Sequence, residues 1–151
     1  MRKLVVVAMA CGMLPVGGAA AAGPGEGSGK LVVTVSGLRS ERGFVQLCVT
    51  RNAKAFPDCS DDQGSRKLTA PASEAAHGIV IEGLAEGDYA ISLIHDENGN
   101  RKLDTMLGIP REGVGFSRNP PIRFGAPGFV AAHFVVGAQA VRQDIRVKYF
   151  L

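Results

Sequence analysis

The chain is poor in the features that mark most function classes. In its 151 residues there is no glycine-rich phosphate cradle, no nucleophile and base at a catalytic spacing, and no basic stripe interleaved with aromatics. Their lack leaves no sequence warrant for a particular reaction, cofactor or nucleic-acid partner. Charge of one sign is also scarce, with 17 Lys and Arg against 14 Asp and Glu. Without Arg2 and Lys3, which sit in a leader described below, the balance is fifteen to fourteen, a net of +1. Near-neutrality argues against a nucleic acid or an anionic membrane surface as partner, since either wants a concentrated basic face. Helix signals are few: no stretch holds a 3.6-residue apolar period for three turns, and Pro57 and Pro71 interrupt the middle. The apolar run at residues 4–16 is too short to cross a bilayer.

That run has another meaning. A short basic opening, Met1-Arg2-Lys3, followed by residues 4–16 and then by small residues, is the pattern of a secretory signal peptide. Ala20-Ala21-Ala22 fits cleavage before Gly23. We therefore expect residues 1–22 to be a leader, residues 23–29 a flexible glycine-rich tail, and residues 30–151 a single domain large enough for its own core. The product would be periplasmic or secreted, with no transmembrane segment in its mature form. A lipoprotein leader would use Cys11, but Ala8 stands where leucine is usual and the preceding apolar stretch is very short. With Cys11 gone, Cys48 and Cys59 remain of the three cysteines. Two cysteines in an exported chain usually pair, and this spacing fits no CxxC-type redox or metal motif. The bond closes a short loop and contributes about 3 kcal/mol by restricting the unfolded chain.

What is present is β periodicity. Residues 31–35 are rich in valine and stop at Ser36-Gly37; Val45, Leu47 and Val49 alternate with Phe44, Gln46 and Cys48. Residues 78–82 lead through the glycine-bounded 83–87 into Tyr89, Ile91, Leu93 and His95, the pattern of a hairpin. Residues 129–136 supply another strand. At the end, Val141, Ile145, Val147, Tyr149 and Leu151 take one side, with Arg142, Asp144, Arg146 and Lys148 on the other. Short strands with frequent turns imply an all-β fold, a small antiparallel β-sandwich of Ig-like or prealbumin-like type. Residues 105–128 form one long Gly/Pro-rich loop, of a length usually functional or pinned by a ligand, or else folded over a sandwich edge to blunt strand pairing.

The most informative stretch runs from His95 to Asp104. Its oxygen-bearing side chains fall at alternate positions, and calcium loops draw ligands from such offsets. Asp96, Asn98, Asn100, Lys102 (through its carbonyl) and Asp104 are the candidate metal ligands, with Glu112 as an extra one. Against calcium stand Arg101, where a sharp turn wants glycine, the cationic Lys102 side chain, and Leu107 at the twelfth position in place of a bidentate glutamate. Asn98-Gly99 is a turn signal by itself, so a purely hydrogen-bonded Asx turn competes with the metal loop.

Several separated motifs carry a resemblance. Residues 83–91, His95-Asp96-Glu97-Asn98-Gly99-Asn100, Leu103-Asp104, residues 108–113 and Gly115-Phe116-Ser117-Arg118-Asn119 occur in the order of an exported bacterial family filed as domain of unknown function 2141. The chain resembles that family from Leu31 onward. The resemblance implies a secreted or periplasmic domain and brings no activity, substrate or catalytic residue with it. Members often have glycine where this chain has Arg101. The turn before Tyr89 is also similar to turns of prealbumin-like and Cna-B-like sandwiches, an architectural likeness alone.

Two function classes follow. In the first, the protein is a non-catalytic binding or structural module of the cell envelope, its partner an unknown protein, glycan or small molecule, with calcium as a structural ion in the loop. In the second, it is a hydrolase-like enzyme with a site around His95, Asp96 and Glu112, joined by Ser117. A concave polar pocket around His95 and Glu112 would favour chemistry, and a packed loop without a cavity would favour the module.

Overall fold

A computed structural model of the protein describes residues 27–151. The expected leader and residues 23–26 of the expected tail lie outside the described residues. In chain order the elements are β1 (Gly29–Ser36), β2 (Phe44–Thr50), β3 (Arg66–Pro71), a short 3-10 turn (Ala75–His77), β4 (Ile79–Leu84), β5 (Gly87–Asp96), β6 (Thr105–Met106), β7 (Ile109–Pro110), β8 (Gly113–Phe116), the one-turn helix α1 (Phe129–Ala132), β9 (Phe134–Val136) and β10 (Val141–Arg146). They form two facing sheets. The smaller is ordered β10-β1-β4; the larger is β3-β2-β5-β8, with β9 pairing the start of β5. β6 and β7 make a separate two-stranded hairpin.

The alternation seen in the sequence sets the interior. Leu31, Val33 and Val35 of β1, Val45, Leu47 and Val49 of β2, and Tyr89, Ile91 and Leu93 of β5 are buried together with Ile145 and Val147. Their opposite neighbours on β1, such as Lys30 and Ser36, reach solvent. This is the period-2 pattern of sheets that share one core between them. The all-β, sandwich-like fold is as expected, and Cys48 and Cys59 are bonded with their Cα atoms 6.2 Å apart.

Four details differ from the sequence expectation, each for a local reason. β4 and β5 are not a hairpin: β4 pairs with β1 in the smaller sheet and β5 with β2 in the larger. The intervening turn carries the chain between layers, so that Ile81 and Leu84 face Tyr89 and Ile91 across the core instead of lying beside them. The Tyr89 hydroxyl donates to the Ala85 carbonyl at 2.9 Å, the tyrosine-corner arrangement that fixes such a crossing. Second, β10 runs parallel to β1, from Leu31 opposite Val141 to Ser36 opposite Arg146. The chain then changes sheets: the Val147 amide donates to Ser36, while Lys148 and Val114 exchange backbone bonds at 2.8 and 2.9 Å. Ile145 and Val147 are buried as the alternation requires, but the strand ends at Arg146 and Leu151 is half exposed.

Third, residues 105–128 are not one loop. They contain the β6–β7 hairpin and the buried strand β8, which pairs with β5 from Ser92 opposite Phe116 to His95 opposite Gly113. Glycine conceals this strand in the sequence and is required by it: a Cβ on Gly115 would lie 2.6 Å from the Ile145 side chain. Fourth, residues 129–136 are half helical turn and half strand, because the chain joins the edge of β5 only after His133. Ala132 is buried while Val130 projects into solvent.

Candidate functional site

β5 is central in the larger sheet, and its last residues deliver His95 and Asp96 into the interior at the end where the loop begins. Asp96 is fully buried. One of its carboxylate oxygens accepts the amides of Gly99 and Asn100 at 2.8 and 3.2 Å; the other accepts the Arg101 amide at 2.7 Å and the Gln46 side chain at 2.5 Å. Asp104 accepts from the side-chain amides of Asn98 and Asn100 at 2.7 and 2.9 Å. The Asn98 and Asn100 side-chain oxygens accept the backbone amides of Asn100 and Lys102. The residues expected as a cation loop are thus brought together as a nest of Asx turns, with four donors on Asp96. Among the described residues no three His, Cys, Asp or Glu side chains form a metal-holding group.

Glu112 comes to this loop from β7–β8. It is buried, one oxygen accepts the Asp104 amide at 3.1 Å, and the other has no hydrogen-bond partner. Burial pushes its carboxyl above the ordinary glutamate value, and the neighbouring charges of Asp96 and Asp104 push it further, against the pull of that one backbone donor. Glu97 is the opposite case. The Arg39 guanidinium, 2.5 Å away, holds its carboxyl below the usual range against the opposing cost of burial.

The other catalytic candidates are committed elsewhere. Alternation turns His95 away from Asp96, and it is fully buried. Its Nε2 donates to the Arg42 carbonyl at 2.9 Å, which leaves Nδ1 to accept from the Tyr149 hydroxyl at 2.6 Å. Arg39 stacks over the Tyr149 ring at 4.5 Å, tying this pair to Glu97. Ser117 pairs opposite Ile91, four residues or about 13 Å along β5 from His95. Its hydroxyl accepts the Ile91 amide and donates to Ala132. Asp96 and Glu112 therefore meet, but His95 and Ser117 do not join them.

A cavity lies where sequence reasoning placed nothing. The outward positions of the larger sheet align in two cross-strand rows: Lys67, Cys48, Ser92 and Phe116 in one, and Thr69, Gln46, Ile94 and Val114 in the other. Over this floor stand the 101–110 turn and hairpin on one side and residues 122–126 on the other, enclosing an open groove of about 1130 Å³. A second apolar cluster of Phe56, Ala90, Val114, Phe116 and Ala132 supports its far end. Leu107 and Phe124, on its flanks, are almost fully exposed. One signal was available: the outward positions of β5 are Ala90, Ser92 and Ile94, small or apolar where a solvated face carries charge.

No curated protein and no solved structure shows significant similarity to the chain. The profile of one family, described as an uncharacterized protein conserved in bacteria, matches residues 33–144, which covers both sheets and the loop between β5 and β8. By that match the chain belongs to the family of domain of unknown function 2141.

Proposed function

We propose that the protein is an exported, non-catalytic β-sandwich module that binds a ligand in the groove on the outer face of its larger sheet. The groove carries this reading. Its volume is at the upper end for ligand sites, its walls are largely apolar, and a few polar groups (Gln46, Thr69, Ser92) lie on its floor. The alternative, a hydrolase around His95, Asp96 and Glu112, draws no support from His95 and Ser117, which lie apart along β5 with both side chains held in internal hydrogen bonds. The leader-like N-terminus and the Cys48–Cys59 bond support an oxidising compartment, periplasmic or extracellular.

The test is saturable binding of the neutral fluorescent probe N-phenyl-1-naphthylamine to the purified protein. Ile94→Trp fills the groove floor and should abolish binding while the far-UV spectrum and melting stay native. Phe124→Ser, at an exposed flank, should weaken binding without any risk to the fold. Absence of saturable binding to the native protein defeats the proposal.

One observation favours a second role for the loop. Glu112 has one unpartnered oxygen and feels the charges of Asp96 and Asp104, and a loop rearranged to bring these carboxylates onto a calcium ion with Asn98, Asn100 and the Lys102 carbonyl would give that oxygen a partner. In that reading millimolar calcium raises the melting temperature, because an ion bound only by the folded state stabilises it. Asp104→Asn should remove that rise, and a melting curve indifferent to calcium in the native protein rules the ion out.

A further inference from the structure

We infer that the groove takes an amphipathic anion, a medium- to long-chain acyl group ending in a carboxylate, with its chain against β5 and β8 and its head among the cations of the rim. This rests on reading the groove as a ligand site. Charge complementarity carries the assignment of chemistry. Lys67, Arg101, Lys102 and Arg123 all line the groove, against the single carboxylate of Asp58. Each of the four is exposed, and among the described residues none has a carboxylate within ion-pairing distance. Such a concentration is notable in a chain whose charges otherwise nearly cancel. Unpaired cations beside an apolar trough favour an anionic head joined to an apolar tail, and disfavour a neutral or cationic amphiphile of the same length.

Arg101 adds an independent observation. Its φ is 62°, in the left-handed region where glycine is the low-energy residue, and its amide is needed by Asp96. An arginine kept there costs backbone strain and places a guanidinium in the groove. Such strain clusters at positions whose side chains are used.

The experiment competes three dodecyl compounds against the neutral probe on the purified protein, each below its micelle-forming concentration: dodecanoate, dodecyl maltoside and dodecyltrimethylammonium. Dodecanoate should displace the probe at concentrations about tenfold lower than the other two, and the preference should shrink as salt rises. The double variant Lys102→Glu/Arg123→Glu reverses two exposed charges and should erase that preference while leaving probe affinity within about twofold. Equal displacement by all three compounds, or a preference untouched by the double variant, overturns the inference and leaves the groove a neutral site. Failure of the probe itself to bind overturns the underlying reading instead. Probe binding confined to a dimer by light scattering would assign the groove to a second copy. Sedimentation with anionic vesicles without binding of monomeric dodecanoate would assign Leu107 and Phe124 to a membrane surface. Either result refutes the acyl-carboxylate site.

Discussion

The two faces of the larger sheet differ more than a sandwich requires. Its inner face is a continuous apolar layer: Val45, Leu47, Val49, Ile91 and Leu93 lie against the smaller sheet and are buried almost completely. Its outer face is neither solvated nor fully packed, with a small cluster around Phe56 and Phe116 at one end and the open groove at the other. β5 passes between them, so adjacent residues on one strand serve different ends. Leu93 looks into the core and Ile94 into the groove. The first side of the strand is filled by shape, and the second is left available to something else.

Leu93 and Ile94 give the largest test of that contrast. Leu93→Ala should cost about 2 to 5 kcal/mol in chemical denaturation, since it removes a fully buried side chain from a two-layer core. Ile94→Ala should cost less than about 1.5 kcal/mol and mainly weaken probe binding. Equal losses of stability would show that the outer face is ordinary core. The Cys48–Cys59 bond comes next. Reduction should cost about 3 kcal/mol and should also loosen the groove, because both cysteines line it. Thiol titration of the denatured, unreduced protein should find no free Cys48 or Cys59.

Glu112, in the loop at the end of β5, gives a smaller, pH-dependent effect. Its raised carboxyl means that the folded chain binds this proton more tightly than the unfolded chain does. The stabilising contribution is complete below the ordinary glutamate value and is lost as pH rises through the raised one. Melting temperature should therefore climb as pH falls from neutral toward the ordinary carboxylate range. Glu112→Gln should abolish that climb and raise stability at pH 7. Glu97, held low by Arg39, works in the opposite sense and withdraws stability only below that range. The smallest expected change is Arg101→Gly. Relief of the left-handed backbone should add about 1 kcal/mol of stability and, on the groove side, lower dodecanoate affinity.

The inner face was legible in the sequence because it obeys a simple period. β1, β2, the inward row of β5, Ile145 and Val147 all followed from alternation, and the disulfide from two cysteines left without another partner. The outer face was not legible, for physical reasons that can be named. β3 is an edge strand whose Arg66-Lys67-Leu68-Thr69 carries one apolar residue, so it has no periodic signal. β8 is half glycine because Ile145 and the end of the chain pack directly on its backbone, and composition alone reads it as loop. The hairpin expected for β4 and β5 failed because a tight turn fixes only that the chain reverses. Whether the two arms pair in one sheet or face each other in two is decided by which partners their edges find. For the loop, the structure ties Asp96, Asn98, Asn100 and Asp104 to one another and to the loop's own amides. Convergence on a cation and convergence on backbone amides share the same offsets, so the sequence could not separate them.

The route of β10 bears on how the protein is made. β1 is the middle strand of the smaller sheet, and one of its neighbours is supplied by residues 141–146, with Thr34 and Asp144 in contact 110 positions apart. A chain synthesised from its amino end presents β1 long before that neighbour exists. During the interval the strand holds a row of unsatisfied backbone groups beside an apolar face, the arrangement most prone to pair with another copy. Closure by so distant a segment is also slow. Whatever the route of folding, the first strand has to stay free of other partners until the tenth arrives.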